Sequence, residues 1–146
     1  MRVVINDKIF KVKVRNSPRE IERGMMYKTF DSSFNGMLFV MNSKEHSFWM
    51  KNCIIPLDII FINGDKITKI HHNCPPCEDE PCKAYNGRGN YALELKGGTC
   101  KNLGIKTGDI VSLPSHLHAN KKDENSKLKN LVKKIVKEEL KNKKLF

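Results

Sequence analysis

Apolar and polar positions alternate from the first residues of the chain. Val3 to Ile5 and Ile9 to Val14 place β-formers (Ile9, Phe10, Val12, Val14) on either side of Asn6-Asp7, whose turn chemistry predicts a hairpin. Ser17-Pro18-Arg19-Glu20 then has the signature of a helix start. Ser17 can cap, Pro18 takes the first helical position, and Glu20, three residues after the cap, completes a capping box. The helix is predicted over 18–26, with Ile21 and Met25 on one face. A glycine inside it, Gly24, costs about 1 kcal/mol relative to alanine and points to close packing against a sheet. Four strands follow at Gly36 to Met41, His46 to Cys53, Leu57 to Ile62 and Lys66 to His71. Asn63-Gly64 predicts a type I′ hairpin turn between the last two. Leu57 to Ile62 is largely apolar on both alternating faces, so this strand should be covered on both sides. Tyr91 to Leu95 predicts another strand and Thr99 to Leu103 a helical turn. After the turn at Thr107-Gly108-Asp109, Ile110 to Leu113 predicts a final strand.

Beyond Pro114 the period is lost over a polar stretch and then returns in a different form. Leu128, Leu131, Val132, Ile135, Val136 and Leu140 trace one helical stripe. The expected fold is therefore mainly β (α+β). A compact barrel-like domain over 1–114 carries the short helix near its start. A linker over 115–123 leads to a basic tail, 124–146, with an amphipathic helix over about 124–143.

Composition sharpens this picture. A chain of 146 residues is enough for one ordinary domain and an appendage, and 39% hydrophobic with 29% charged residues is a globular balance. No apolar run approaches the roughly 20 residues of a membrane span. The alternating N-terminus has no apolar core or cleavage site of a secretory signal, so synthesis in the cytoplasm is expected. The net charge is +11, and lysines crowd the tail beyond Asn120. The stripe there fits a protein partner or a second copy of the chain, while the lysines fit nucleic acid or an anionic surface. The tail's polar face holds neither arginine nor aromatic residues, which argues against base-specific readout.

Candidate chemistry concentrates in two stretches. His71-His72-Asn73-Cys74-Pro75-Pro76-Cys77, with Cys82, supplies three thiols and an imidazole such as His72, a possible tetrahedral zinc set. A bond between Cys77 and Cys82 is the alternative, closing a short loop for about 2 kcal/mol of stability. Cys53 with His46 or His116, or Cys77 with His71, would be a nucleophile and base, although no spacing enforces either pair. Asp58, alone in an apolar strand, either satisfies backbone donors or Lys51, or acts as an acid or base of raised pKa. Phe48 and Trp49 should face opposite ways, one into the core and one toward a groove. No dinucleotide or phosphate-loop motif is present, and no cofactor is expected.

Taken together, Arg23-Gly24-Met25-Met26, Gly36-Met37-Leu38-Phe39-Val40, the run Ser47 to Phe61 (SFWMKNCIIPLDIIF), Cys77 with Cys82 and Tyr85, Leu93-Glu94-Leu95 and Gly104 to Asp109 resemble the domain of unknown function 192 family over about residues 10–113. The resemblance implies a β-rich, barrel-like domain with a short early helix and supplies no reaction. It maps the family's cysteine pair onto Cys77 and Cys82, which counts against zinc. It also places a threonine where this chain has Cys53, which counts against a nucleophile there. The expected function is a non-catalytic binding or structural module presenting Trp49, Lys51, Asn52, Asp58 and Tyr85, attached by its basic C-terminal helix to a larger assembly such as a viral particle. The alternatives are a small hydrolase-like enzyme using Asp58 with Lys51 and Asn52, and binding of nucleic acid or an anionic surface by the tail.

Overall fold

Nine strands and two short helices make up the body of the protein in a computed structural model that describes residues 1–42 and 44–117. The predicted C-terminal helix and its stripe, Leu128 to Leu140, lie outside the described residues, as does most of the linker. Residues Met1–Ser112 form one compact unit.

The opening hairpin pairs β1 (Arg2–Ile5) with β2 (Lys8–Arg15), and both turn residues take positive φ, 48° at Asn6 and 66° at Asp7. This is the type I′ geometry that matches the twist of the strands. Val3, Ile5, Phe10 and Val12 point into the core, while Ile9 is exposed. Next comes α1 (Pro18–Arg23) with its predicted capping box, Ser17 bonding the Glu20 N–H and Glu20 returning a bond to the Ser17 N–H. The helix is shorter than expected. Gly24 ends it at φ 43°, donating its N–H to the Glu20 carbonyl, and a Cβ there would lie 3.4 Å from the Phe39 ring. Its glycine thus serves as terminator and as packing surface.

The main sheet runs β6-β5-β8-β3-β2-β1-β9, comprising β3 (Gly36–Val40), β5 (Leu57–Asn63), β6 (Lys66–Cys74), β8 (Tyr91–Lys96) and β9 (Val111–Ser112) besides the hairpin. Its two edges nearly meet. Lys66 bridges Ile110, and the N–H of Ile67 donates to the Asp109 carbonyl at 3.0 Å, giving a nearly closed, barrel-like sheet that leaves little open edge. Leu57 to Ile62 of β5 are all buried, so both faces of that strand are covered as its sequence predicts. The β5–β6 hairpin also forms, with a different turn. Gly64-Asp65 are its central residues and Gly64 alone takes positive φ, because Asn63 stays paired to Lys66. A glycine first in a two-residue loop is type II′ chemistry.

A separate two-stranded ribbon joins β4 (Glu45–Phe48) to β7 (Tyr85–Arg88), a strand that the sequence pattern did not predict. The strand predicted over His46 to Cys53 stops at Phe48. The chain turns there, with Asn52 at φ 60° and the Cys53 N–H bonded to the Met50 carbonyl. Asparagine tolerates that left-handed conformation better than most residues. The second short helix, α2 (Thr99–Leu103), sits where a helical turn was predicted, and β9 is two residues shorter than expected. No helix among the described residues is long and apolar enough to cross a membrane.

Candidate functional site

Asp58 explains itself once β5 and β6 are in register. Leu57 pairs with Cys74 and Ile59 with His71, so Asp58 stands opposite two residues and β6 bulges there. Asn73 sits in the bulge at φ 47°, and its N–H donates to Asp58 Oδ1 at 2.7 Å. The other partners come from the start of α2. Gly98, which caps that helix without a side chain, donates its N–H to Oδ1 at 3.1 Å, and Cys100 donates to Oδ2 at 2.8 Å. The fully buried carboxylate is therefore a remote helix cap and a bulge clamp. Its acceptor sites face backbone donors.

Lys51 and Asn52 do not join it. Lys51 Nζ lies 2.8 Å from Glu80 Oε1 and 5.0 Å above the Trp49 ring, and the Glu80 hydrogen bond holds its pKa above the ordinary lysine value. The Asn52 carbonyl accepts from the Tyr27 N–H at 2.8 Å, and its amide approaches Met26 Sδ at 3.9 Å. The expected Asp58, Lys51 and Asn52 constellation is thus dispersed among three structural tasks. The expected binding surface is corrected in the same way. Trp49 is 42% exposed beside Lys51, whereas Asp58 and Tyr85 are interior.

The cysteines divide cleanly. Cys77 and Cys82 are joined by a disulfide, with Cα atoms 5.7 Å apart. The zinc set of Cys74, Cys77, Cys82 and His72 loses two thiolates to that bond. Cys74 is buried with its thiol against the His71 carbonyl, and among the described residues no three metal-binding side chains converge.

What the structure does assemble is a cavity of about 560 Å³ beside α1. Its walls include Ile21 and Met25 from the α1 region, Val40 at the end of β3 with Met41 just after it, and Phe48 of β4. Trp49 and Lys51 stand at its rim, and Cys82 brings the disulfide loop to it. Glu94 of β8 lines the inner wall. On β8 it shares a face with Ala92, which packs in the same core cluster as Met25, Met41 and Phe48. Glu94 is only 4% exposed, its Oε2 is buried without a hydrogen-bond partner, and burial pushes its carboxyl pKa up to about 8. Cys53, half-buried on the same cavity, has its thiol pushed up to about 12, chiefly by burial and secondarily by the Glu94 charge.

Glu94 was not among the candidates that the sequence offered, although it stood inside a recognised block. The available signal was the one read for Asp58: a lone carboxylate in a strand apolar on both faces. Phe48 is buried and Trp49 exposed as expected, but not by strand parity: β4 ends at Phe48, and both side chains line the same cavity.

Comparison with known proteins agrees with this architecture. A protein of unknown function from Novosphingobium aromaticivorans DSM 12444 is 33% identical in sequence, with a TM-score of 0.67, the match covering 77% of this chain and 84% of that one. A Sinorhizobium meliloti 1021 protein described as "a putative transcription regulator" is 31% identical with a TM-score of 0.67, covering 76% of this chain and 89% of that one. No curated protein matches. The model of the domain of unknown function 192 family, described as "Uncharacterized ACR", matches residues 1–113, and the chain belongs to that family.

Proposed function

We propose that the body is a non-catalytic binding module that takes a small ligand into the cavity beside α1, and that the lysine-rich tail attaches it to a larger assembly. The observation that carries the first part is the buried, unpartnered Oε2 of Glu94 on the cavity wall. Leaving such a group unsatisfied costs about 1–3 kcal/mol, and folded proteins hold few of them. On the wall of a cavity large enough for a small molecule, it has the character of a recognition group among apolar surfaces.

Chemistry argues against a catalytic reading of the same space. A cysteine nucleophile acts as a thiolate, and Cys53 at about 12 is held as the thiol at neutral pH. The Asp58 carboxylate is occupied by backbone donors, and Lys51 is ion-paired. Selective methyl labelling tests the reading, because Met25, Met26 and Met41 line the cavity while Met1 does not. Titrating benzamide, benzoate and benzylamine should produce saturable shifts of the cavity methyls with at least one probe and leave Met1 unmoved. No saturable shift with any of the three would reject the cavity as a ligand site.

The attachment role rests on the tail's apolar stripe and basic face in the sequence. Removing residues 119–146 should leave the body folded and abolish association, and unchanged sedimentation and partner binding would reject it. A second reading, nucleic-acid binding, is favoured by the tail's lysines and by the description of the Sinorhizobium protein. Titration with duplex DNA at rising salt separates the two, since phosphate contacts lose affinity steeply with salt.

A further inference from the structure

Glu94 also carries information about what kind of molecule enters. We propose that the cavity is a site for an uncharged, mostly apolar small molecule bearing a carboxamide-type edge, an acceptor beside a donor, which pairs with the Glu94 carboxyl. This rests on the cavity reading above and deepens it.

Three observations converge on an uncharged ligand. Among the described residues no lysine, arginine or histidine forms an ion pair with Glu94, and its Oε2 has no partner at all. The surrounding wall is mostly apolar, so a charge brought against it would be desolvated at a cost of several kcal/mol that pairing only partly offsets. At the rim Arg23 and Lys51 are cationic, and the chain as a whole carries +11, a field that opposes an incoming ammonium ion. Glu22 at the rim balances Arg23 only in part of that field, and Glu80 is already engaged with Lys51. An anion held by the rim cations would leave Oε2 unsatisfied.

The acid form of Glu94 completes the fit. A protonated carboxyl offers an O–H donor and a carbonyl acceptor side by side. A carboxamide edge presents the reverse pair, so two neutral hydrogen bonds form and no charge is buried. The carboxyl stays protonated below about pH 8, which extends this arrangement through neutrality. Other ionisable groups leave that window clear. His46, also on the cavity, is lowered from its ordinary value of 6.5 by burial, and Cys53 and Cys74, both of which sense the Glu94 charge, titrate at about 12 and about 11. Lys51, hydrogen-bonded to Glu80, is raised above the ordinary lysine value.

The test compares benzamide, benzoate and benzylamine, which share one ring, by methionine-methyl NMR on the full chain and on E94Q and E94L. Benzamide should bind at least tenfold more tightly than either charged probe at pH 6.5. Its affinity should be level from pH 6.5 to 7.5 and fall about tenfold per unit well above pH 8 as Glu94 ionises. Glutamine also presents a donor beside an acceptor, so E94Q should keep benzamide binding and lose that fall, while E94L should lose at least tenfold at every pH. E94Q, near-isosteric with the acid, guards against misfolding of E94L. Tighter binding of benzylamine, with affinity rising toward pH 8, would overturn the amide assignment in favour of an amine site. Tighter binding of benzoate would overturn it in favour of the rim cations. Either result leaves the cavity reading standing, whereas silence from all three probes rejects both.

Discussion

The backbone N–H of Cys100 donates a 2.8 Å hydrogen bond to the carboxylate of Asp58, a residue 42 positions earlier in the chain. That bond ties the start of α2 to the middle of β5, and the same carboxylate clamps the β6 bulge at Asn73. Asp58→Asn should therefore weaken folding and leave cavity binding intact in the folded fraction. The new amide would turn an N–H₂ toward a backbone N–H, a loss on the order of 3 kcal/mol for bonds to a charged acceptor. The urea midpoint of unfolding measures it. An unchanged midpoint would mean that the carboxylate is not the structural clamp its partners indicate.

The disulfide and the rim form a second linked pair. Cys77–Cys82 closes the loop that carries Glu80, and Glu80 holds Lys51 above Trp49. Reducing the bond, or replacing both cysteines with serine, should lower stability by about 2 kcal/mol through restored loop entropy. It should also change Trp49 fluorescence by loosening the Lys51 contact. The paired readouts are the thermal midpoint and the emission spectrum, each recorded with and without reductant.

Gly87 carries the third prediction. On β7 it lets the β4–β7 ribbon lie against the core, where an added Cβ would come 2.2 Å from the Phe61 ring. Phe61 is itself fully buried and cannot move out to solvent. Gly87→Ala should destabilise the protein by about 1–3 kcal/mol, the range for overpacked cores, and calorimetry reads the loss.

Much of this fold was legible in the sequence because local chemistry and tertiary structure agree. Asn6-Asp7, the Ser17/Glu20 capping box and the two-sided apolar run of β5 each specify their element without help from distant residues. The failures share a cause. Asn52 looked like a strand or site residue, yet its role is a left-handed turn that only the 50–53 hydrogen bonds reveal. In β7, Tyr85-Asn86-Gly87-Arg88 has a single β-former, Tyr85, beside strand-poor Asn86 and Gly87, since what fixes it is pairing to β4 and close approach to Phe61. Asp58 and Glu94 present the same sequence signal. Only the fold distinguishes them, by aiming backbone N–H groups at one and leaving an oxygen of the other, a cavity-lining residue, buried without a partner.

The Glu94 burial has a stability consequence of definite sign. Its folded value of about 8 lies above its ordinary 4.5, so between those values the folded state holds a proton that the unfolded chain gives up. Stability from this group is full below about pH 4.5, falls as pH rises through that window, and levels off above about 8. Glu94→Gln removes the titration. Its stability relative to the parent should rise from pH 5 to pH 8 by on the order of 3 kcal/mol, at about 1.4 kcal/mol per unit. Urea midpoints of both proteins across that range give the comparison.

The most direct measurement is a titration of the Glu94 side-chain carboxyl itself, followed by carbon-13 NMR with Glu94→Gln to assign the signal. A midpoint near pH 8 in the ligand-free protein is the predicted result, the mark of a carboxyl kept from water and from any cation on the wall of the cavity. A midpoint between 4 and 5 would contradict it, because Glu94 would then already be served by solvent or a charge and would not be waiting for a ligand.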